Sequence, residues 1–274
     1  MKKIISVFLL VLFAMGIFCG CAKDNTEDDH NHDHGNEVTT TTTSADVPGD
    51  PFADENVKIY MDNRSVWEYT PEGTEWYGYL FLDLDFDGTL ELIRATNAGT
   101  GFFSTNKFYK IDKANNTVTE LEYTVKKGES QWDFTGGDYP QLYKNNATGE
   151  LKYMVYDNYR NGMSEGGMSI GEMTLENSEV ITKKLWAFDY AAESEDLNGE
   201  FTFVYRTFDE KENAKEVDAD AYEDTLAKYE ENNTHMNLTF EIVDSTSSST
   251  PLSELSDTEL QEILLRAYNH FSYK

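Results

Sequence analysis

Residues 80–92 read LFLDLDFDGTLEL, an apolar run that leads through an acidic stretch into a second apolar run. Asp83, Asp85 and Asp87 alternate with apolar residues, and Gly88 follows them. Glycine adopts left-handed backbone conformations without strain, so it favours a tight turn at this position. The stretch therefore predicts two β-strands joined by a loop whose carboxylates repel one another unless a cation lies among them.

The spacing of these residues is typical of a calcium-binding loop. Aspartates stand at its first, third and fifth positions, and Gly88 stands sixth, where calcium loops turn sharply. The predicted ligands are Asp83, Asp85, Asp87, the backbone carbonyl of Thr89, and Glu91, the last directly or through water. The twelfth position is Arg94 instead of the glutamate of an EF-hand, and strands replace the flanking helices. We therefore predict a structural Ca²⁺ site in a β-hairpin.

The same letters also satisfy the Asp-x-Asp-Gly-Thr pattern of haloacid dehalogenase-type phosphatases. In that interpretation Asp85 is the nucleophile and Asp87 the general acid–base. That fold needs a parallel sheet and a helix after the loop, whereas the residues after Thr89 read LELIRAT, a strand pattern. The calcium interpretation is favoured, and the phosphatase remains an alternative.

Alternation of apolar and polar residues predicts strands over most of the remaining chain. The expected strands are Tyr77–Leu82, Leu90–Thr96, Lys107–Asp112, Thr117–Thr124, Leu151–Asp157, Met168–Thr174, Glu179–Phe188 and Phe201–Phe208. Residues 108–121 and 171–185 repeat one strand–turn–strand pattern, each preceded by another expected hairpin. We therefore expect a mainly β (α+β) fold with antiparallel hairpins in two blade-like four-stranded units.

Two helices are expected near the C-terminus. Residues 218–231 begin with acidic residues and carry an apolar stripe. Ser256 and Glu259 have the spacing of a capping box, which opens a second amphipathic helix.

The N-terminus has the features of a secretion signal. Residues 1–20 join a basic start to an apolar run that is too short for a stable membrane span. The end of this segment, Gly20-Cys21, resembles a bacterial lipoprotein signal, which implies lipidation of Cys21. Two acyl chains on this cysteine would anchor the protein to the extracytoplasmic face of the cell membrane.

Residues 21–50 are acidic and rich in histidine and threonine, and they contain few large apolar residues. Such a segment cannot offset the entropy cost of folding, so we predict a disordered tether. His30, His32 and His34 could bind zinc or nickel weakly, although a solvated tether is the simpler interpretation. Residues 51–274 are then a single β-rich globular domain.

The balance of charge excludes one class of partner. The chain has 51 acidic and 22 basic residues, a formal net charge of −29. Such a surface repels phosphate backbones, so we expect no nucleic-acid partner. Its two cysteines, Cys19 and Cys21, both lie at the signal end. The predicted domain therefore has no disulfide, thiolate metal site or cysteine nucleophile.

The acidic loop resembles the calcium loop of integrin alpha-chain repeats. It resembles more closely the Asp-x-Asp-x-Asp-Gly-x-x-Glu-Leu segment of uncharacterised secreted lipoproteins from Firmicutes. The resemblance extends over about residues 76–271, including the segments KEVDADAYEDTLAKYE (215–230) and AYNHF (267–271). It implies a lipid anchor and a calcium loop, and no known activity.

These features predict a lipid-anchored, extracytoplasmic binding module with a structural calcium loop and no catalytic activity. Its ligand would be an unknown protein or glycan. A calcium-assisted carbohydrate-binding module is the alternative, because exposed tyrosines or tryptophans could stack on sugars. The candidate tryptophans are Trp67, Trp76, Trp132 and Trp186.

Overall fold

The computed structural model describes residues 50–71, 76–98, 103–124, 131–132, 139–161, 164–192, 201–244 and 250–274. The predicted signal peptide at 1–20, Cys21, the three tether histidines and all of the tether except Asp50 lie outside the described residues. The division into signal, tether and domain therefore stays a prediction. In the described ranges, no helix combines the length and the apolar character needed to cross a membrane.

Strands make up most of the described chain. They are β1 (Trp76–Leu82), β2 (Glu91–Ala98), β3 (Phe103–Asp112), β4 (Thr117–Thr124), β5 (Gln141–Asn145), β6 (Leu151–Asn161), β7 (Glu165–Glu176), β8 (Glu179–Ala192), β9 (Phe201–Phe208), β10 (Ala214–Val217), β11 (Asn233–Met236), β12 (Leu238–Thr239), β13 (Val243–Asp244) and β14 (Ser272–Tyr273). The helices are α1 (Ala53–Asp62), α2 (Arg64–Trp67), α3 (Ala219–Asn232) and α4 (Asp257–His270), with a 3₁₀ turn at Leu252–Glu254.

One mixed sheet contains twelve of these strands. Its main path runs β11-β5-β6-β7-β8-β4-β3-β2-β1-β13, and β9 pairs with both β8 and β10. Neighbours are antiparallel except β4 and β8, which run parallel from the pair Glu122–Glu179 to the pair Thr124–Ile181. Strands β12 and β14 form a separate antiparallel pair. The mainly β prediction is confirmed.

The predicted blade-like units are not present as separate sheets. Strands β1–β4 and β5–β8 are each a four-stranded antiparallel run, and this accounts for the repeated pattern in the sequence. Asn116 (φ 52°) and Asn177 (φ 51°) give the β3–β4 and β7–β8 turns their left-handed residues. The parallel pairing of β4 with β8 joins the two runs into one sheet, so the prediction of blades was wrong.

Both faces of β1 are buried. Tyr77, Tyr79 and Phe81 of β1 face a core that they share with α1 and α4. The alternate residues Leu80 and Leu82 face a second core that includes residues of β5–β7. The hairpin that carries the acidic loop thus belongs to both cores.

The structure confirms both C-terminal helices. Asp218 caps α3 by accepting a hydrogen bond from Ala221 N (2.8 Å), and Ser256 and Glu259 form the predicted capping box of α4. Helices α1 and α2 precede the first expected strand, in a region for which the sequence analysis predicted no element. Trp67 and Tyr60 are fully buried beneath β1 and β2.

Candidate metal centre

The acidic loop occupies residues 83–90, between β1 and β2. The flanking strands pair up to Leu82 and Glu91, so the loop closes an antiparallel hairpin. Phe86 (φ 58°) and Gly88 (φ 85°) both adopt the left-handed backbone region. No atom lies within 4 Å of the position of a Cβ on Gly88, so this glycine is required for its backbone angle and not for space.

Three of the predicted ligands come together in this loop. Asp83, Asp85 and Glu91 each place a carboxylate oxygen within 4.8 Å of the other two. Asp83 is 4% exposed and Glu91 is 0% exposed, whereas Asp85 lies at the surface. The group forms a pocket of oxygen atoms with a buried floor and an open side, and it could hold a metal ion.

The two buried carboxylates are only half satisfied by hydrogen bonds. Asp83 Oδ2 accepts a bond from Gly88 N (3.1 Å), and Glu91 Oε2 accepts one from Leu84 N (2.8 Å). Their other oxygens, Asp83 Oδ1 and Glu91 Oε1, are buried and have no hydrogen-bond partner. A buried polar atom without a partner costs about 1–3 kcal/mol, and more if it is charged. These two oxygens are therefore the atoms that a cation would satisfy.

Lys110 of β3 lies at the open side of the group. Its Nζ forms ion pairs with Asp85 Oδ2 and with Asp87 Oδ2 (3.1 Å). It also lies 3.4 Å from Glu91 Oε1, without the geometry of a hydrogen bond. The lysine thus balances part of the acidic charge.

The pKa values of the loop carboxyl groups differ, because Lys110 pairs with the outer carboxylates more closely than with the buried ones. Burial raises the pKa of Glu91 to about 8, against the opposing effects of the Leu84 N–H and Lys110. Burial also raises the pKa of Asp83 to about 6. Burial acts in the same direction on Asp87, but hydrogen bonds from Thr89 N and Lys110 outweigh it and lower the pKa. For Asp83 and Glu91, the cost of burying the charged form therefore outweighs the stabilisation from neighbouring groups.

The two ends of the loop are held by tyrosines from distant parts of the chain. Tyr153 of β6 donates a hydrogen bond to the carbonyl of Asp83 (3.2 Å), and its ring stacks on Phe86 at 5.4 Å. At the other end, Leu90 N donates to the hydroxyl of Tyr268 in α4 (3.2 Å). The loop is thus fixed to both halves of the sheet and to the C-terminal helix.

Strand β2 is held in a similar way by α1. Leu92 N donates a hydrogen bond to the hydroxyl of Tyr60 (3.2 Å), and this hydroxyl lies 3.0 Å from the carbonyl oxygens of Leu90 and Tyr109. Glu91 lies between the two anchored residues Leu90 and Leu92. The position of its backbone therefore depends on two helices that are far from it in sequence.

No family model, curated protein or solved structure matches this chain. The resemblance to Firmicutes lipoproteins and integrin repeats rests on the sequence motifs alone and stays a prediction.

The remaining predicted ligands have other contacts. Asp87 lies outside the group of three carboxylates and accepts a hydrogen bond from Thr89 N (2.8 Å) in addition to its pairing with Lys110. The role of the Thr89 carbonyl stays a prediction. Arg94, at the twelfth position, points away from the loop, where it donates to the carbonyl of Trp67 (3.1 Å). The structure therefore supports three carboxylate ligands more directly than four.

The phosphatase and carbohydrate-binding interpretations each required a structural feature that the described residues arrange differently. The loop that carries Asp85 joins antiparallel strands, whereas the phosphatase interpretation needed a parallel sheet at this point. Trp67, Trp132 and Trp186 are buried at 0%, 3% and 6% exposure, so these three cannot present stacking faces to a sugar. Trp76 is partly exposed, and its Nε1 lies 3.4 Å from Asp244.

Sequence reasoning missed Lys110 as part of this site. A signal for it exists in the strand pairing, because Leu92 lies opposite Tyr109 and so places Lys110 beside Glu91. Finding it from the sequence requires the register of β2 and β3, which a pattern of apolar residues does not fix to one residue.

Proposed function

We propose that this protein is a lipid-anchored, extracytoplasmic surface protein whose β-sheet domain carries a structural calcium site and acts as a non-catalytic binding module. The observation that carries the calcium site is the pair of buried oxygens without a hydrogen-bond partner, Asp83 Oδ1 and Glu91 Oε1. They belong to two carboxylates, Asp83 and Glu91, that together with Asp85 each place one oxygen within 4.8 Å of the other two. A cation placed among them would compensate charge that Lys110, 3.4 Å from Glu91 Oε1, balances only in part.

Calcium is the cation that these ligands favour. The group offers oxygen atoms and no nitrogen or sulfur, which suits a hard cation. Calcium accepts about six to eight oxygens in a flexible shell, so backbone carbonyls such as that of Thr89 and water can complete it. Magnesium demands a tighter octahedral shell and gives up water reluctantly. The irregular, partly open loop therefore favours calcium.

The proposed role of the ion is to hold the hairpin in one conformation. The loop already has anchors at Tyr153 and Tyr268, and its acidic centre is the part that repels itself. An ion at the centre would neutralise this repulsion and link the start of β2 to the end of β1. A sheet fixed in this way would present a stable surface to a partner outside the cell.

Calcium titration by calorimetry tests the site directly. We expect the full chain, purified in detergent, to bind one Ca²⁺ with a Kd of about 10⁻⁴–10⁻³ M. Glu91→Gln should weaken binding by at least about tenfold, because it removes a charged ligand. The matched control is Glu120→Gln, whose carboxylate pairs with Lys107 (2.8 Å) on the neighbouring strands. Equal binding by Glu91→Gln and Glu120→Gln would exclude the proposed ligands.

One observation favours a carbohydrate ligand as the second candidate. A groove of about 640 Å³ lies between the start of β5 and the segment around β12. Its lining mixes polar and apolar side chains: Tyr139, Pro140, Gln141, His235, Asn237, Leu238, Thr239, Phe240 and Ile242. Among the described residues that line it, none carries a carboxylate or ammonium group. Tyr139 is 50% exposed, and an aromatic ring beside amides and hydroxyls is the chemistry that recognises a neutral sugar.

Affinity electrophoresis tests this candidate with gels that contain neutral polysaccharides. We expect retardation of the wild-type chain and its loss in Tyr139→Ala. The control is Tyr159→Ala, which removes a similarly exposed tyrosine (46%) from another part of the sheet. Equal mobility of all three chains with and without polysaccharide would exclude this ligand class at the groove.

A further inference from the structure

Lys110 occupies the place where a cation is expected in the acidic loop. Its Nζ contacts Asp85 and Asp87, and it lies 3.4 Å from Glu91 Oε1. The lysine side chain is 28% exposed, so its ammonium group lies at the boundary between the loop and solvent. An ammonium group in this position is a built-in monovalent counter-ion for the carboxylates.

The Lys110 ammonium group does not form hydrogen bonds with all of the loop's carboxylate oxygens. Lys110 pairs with the two outer carboxylates, Asp85 and Asp87. It leaves Asp83 Oδ1 and Glu91 Oε1, in the buried floor, without hydrogen bonds. A lysine ammonium has three donors on a flexible stem, and here it reaches the floor of the site only with a poor contact.

We infer that Lys110 is the resident cation of the calcium-free loop and that Ca²⁺ binds by displacing it. This inference rests on the calcium site proposed above. The lysine and the ion both require Asp85, and a divalent ion within a few ångström of an ammonium group repels it. Binding is therefore an exchange of one cation for another.

Asp87 provides a place for the displaced ammonium group. It lies outside the group of three carboxylates, its side chain is 46% exposed, and it already contacts Lys110 at 3.1 Å. After the exchange, Asp83, Asp85 and Glu91 hold the ion while Asp87 retains the lysine at the rim. The exchange thus breaks the contacts of Lys110 with Asp85 and Glu91 and keeps its contact with Asp87.

The exchange also makes the site selective for charge. A monovalent ion at Asp83, Asp85 and Glu91 would bring no more charge than the ammonium group that it moves to Asp87, and the ion pair with Asp85 would be lost. A divalent ion brings two positive charges to these three carboxylates, one more than the ammonium group that it moves to the rim. Lys110 therefore excludes sodium and potassium and raises the calcium concentration at which the site fills.

Calcium titration of Lys110→Met tests the exchange. Removing the competing charge should tighten calcium binding by about 3- to 10-fold, the equivalent of about one or two partly exposed ion pairs. Lys110→Arg keeps the charge and should bind close to wild type. The matched control is Lys107→Met, which removes a lysine of the same strand whose partner is Glu120, away from the loop. This control should leave the affinity unchanged.

The outcomes separate the exchange from the calcium site itself. If the wild-type chain binds calcium and Lys110→Met binds it no more tightly, the exchange is overturned and the calcium site is retained. An absence of binding in every chain overturns both. Binding by Lys110→Met alone supports the exchange, since the lysine then suffices to block the site.

Thermal melting supplies a second readout of the same exchange. In chelator, Lys110→Met should melt below wild type, because its carboxylates lose their counter-ion, and calcium should raise its melting temperature by more than it raises that of wild type. A calcium shift in Lys110→Met no larger than in Lys110→Arg overturns the exchange.

Discussion

The hydroxyl of Tyr268, in the C-terminal helix, accepts a hydrogen bond (3.2 Å) from the backbone N–H of Leu90, the residue directly before the buried Glu91. The same hydroxyl accepts a bond from Asn56 Nδ2 (2.8 Å) in α1 and donates one to Asp50 Oδ2 (2.8 Å). One phenol thus connects both ends of the described chain to the acidic loop. The position of Glu91 therefore depends on the packing of the helices as well as on the hairpin.

Tyr268→Phe should destabilise the fold by about 1–3 kcal/mol, because it leaves the buried N–H of Leu90 without a partner and also removes the bonds with Asn56 and Asp50. Urea denaturation with and without calcium measures this effect. Calcium affinity should also fall, since the backbone beside Glu91 loses its anchor. The control Tyr139→Phe removes a hydroxyl from an exposed ring and should change neither quantity. Equal midpoints for the two variants would show that the hydrogen bond to Leu90 does not position the loop.

The effect of calcium on stability should depend on pH. Burial raises the pKa of Glu91 to about 8 and that of Asp83 to about 6, so protons compete with the ion at these ligands. Without calcium, a raised folded-state pKa means that stability present at low pH is lost as pH rises through about 6 to 8. Calcium offsets that loss by stabilising the charged forms.

The calcium-induced shift in melting temperature should accordingly grow between about pH 5.5 and pH 8.5. Melting curves in chelator and in calcium at several pH values across this range measure it. A shift of constant size over the whole range would contradict the assignment of Asp83 and Glu91 as ligands.

Cys21 should carry the lipid anchor. In a Gram-positive host fed labelled palmitate, the wild-type chain should take up label and stay with the membrane fraction. Cys21→Ser should lose the label and appear in the medium, because residues 22–50 contain few large apolar residues that could hold the chain on the membrane. Cys19→Ser is the control and should remain labelled. Label retained by Cys21→Ser would place the anchor elsewhere.

Asp85 should not act as a phosphatase nucleophile. It lies in an antiparallel hairpin and is paired with Lys110, whereas a nucleophile needs an open approach to phosphate. The full chain should not hydrolyse p-nitrophenyl phosphate with magnesium above the level of Asp85→Asn. Turnover in wild type that disappears in Asp85→Asn would restore the phosphatase interpretation.

Local chemistry made part of the fold predictable. Thr117–Thr124 has alternating residues and a preceding turn, and the strand begins and ends as expected. Ser256 and Glu259 specify the start of α4 by the hydrogen bonds that they form with each other's backbone. The spacing of Asp83, Asp85 and Glu91 also predicted their convergence, because neighbours in a short loop have few alternatives.

Contacts between distant segments could not be predicted in the same way. The parallel pairing of β4 with β8 joins segments more than fifty residues apart, and no local pattern records it. Helix α1 buries Ala53, Val57, Ile59 and Tyr60 in the core that it shares with β1 and β2, and this packing joins segments that are distant in the sequence. Lys110 reaches the loop through the register of β2 and β3. The role of Lys110 as a competing cation therefore follows from the three-dimensional structure and not from the sequence pattern.

Thermal melting of the full chain in chelator, in calcium and in magnesium tests the calcium site most directly. With a Kd of about 10⁻⁴–10⁻³ M, about 1 mM calcium adds about 0.4–1.4 kcal/mol by mass action. The melting temperature should then rise by about 1–6 °C, with a smaller rise in magnesium. Asp83→Asn should abolish the calcium shift, and Asp112→Asn, in an exposed turn outside the loop, should retain it. An identical melting temperature of the wild-type chain in chelator and in several millimolar calcium would contradict the proposed site.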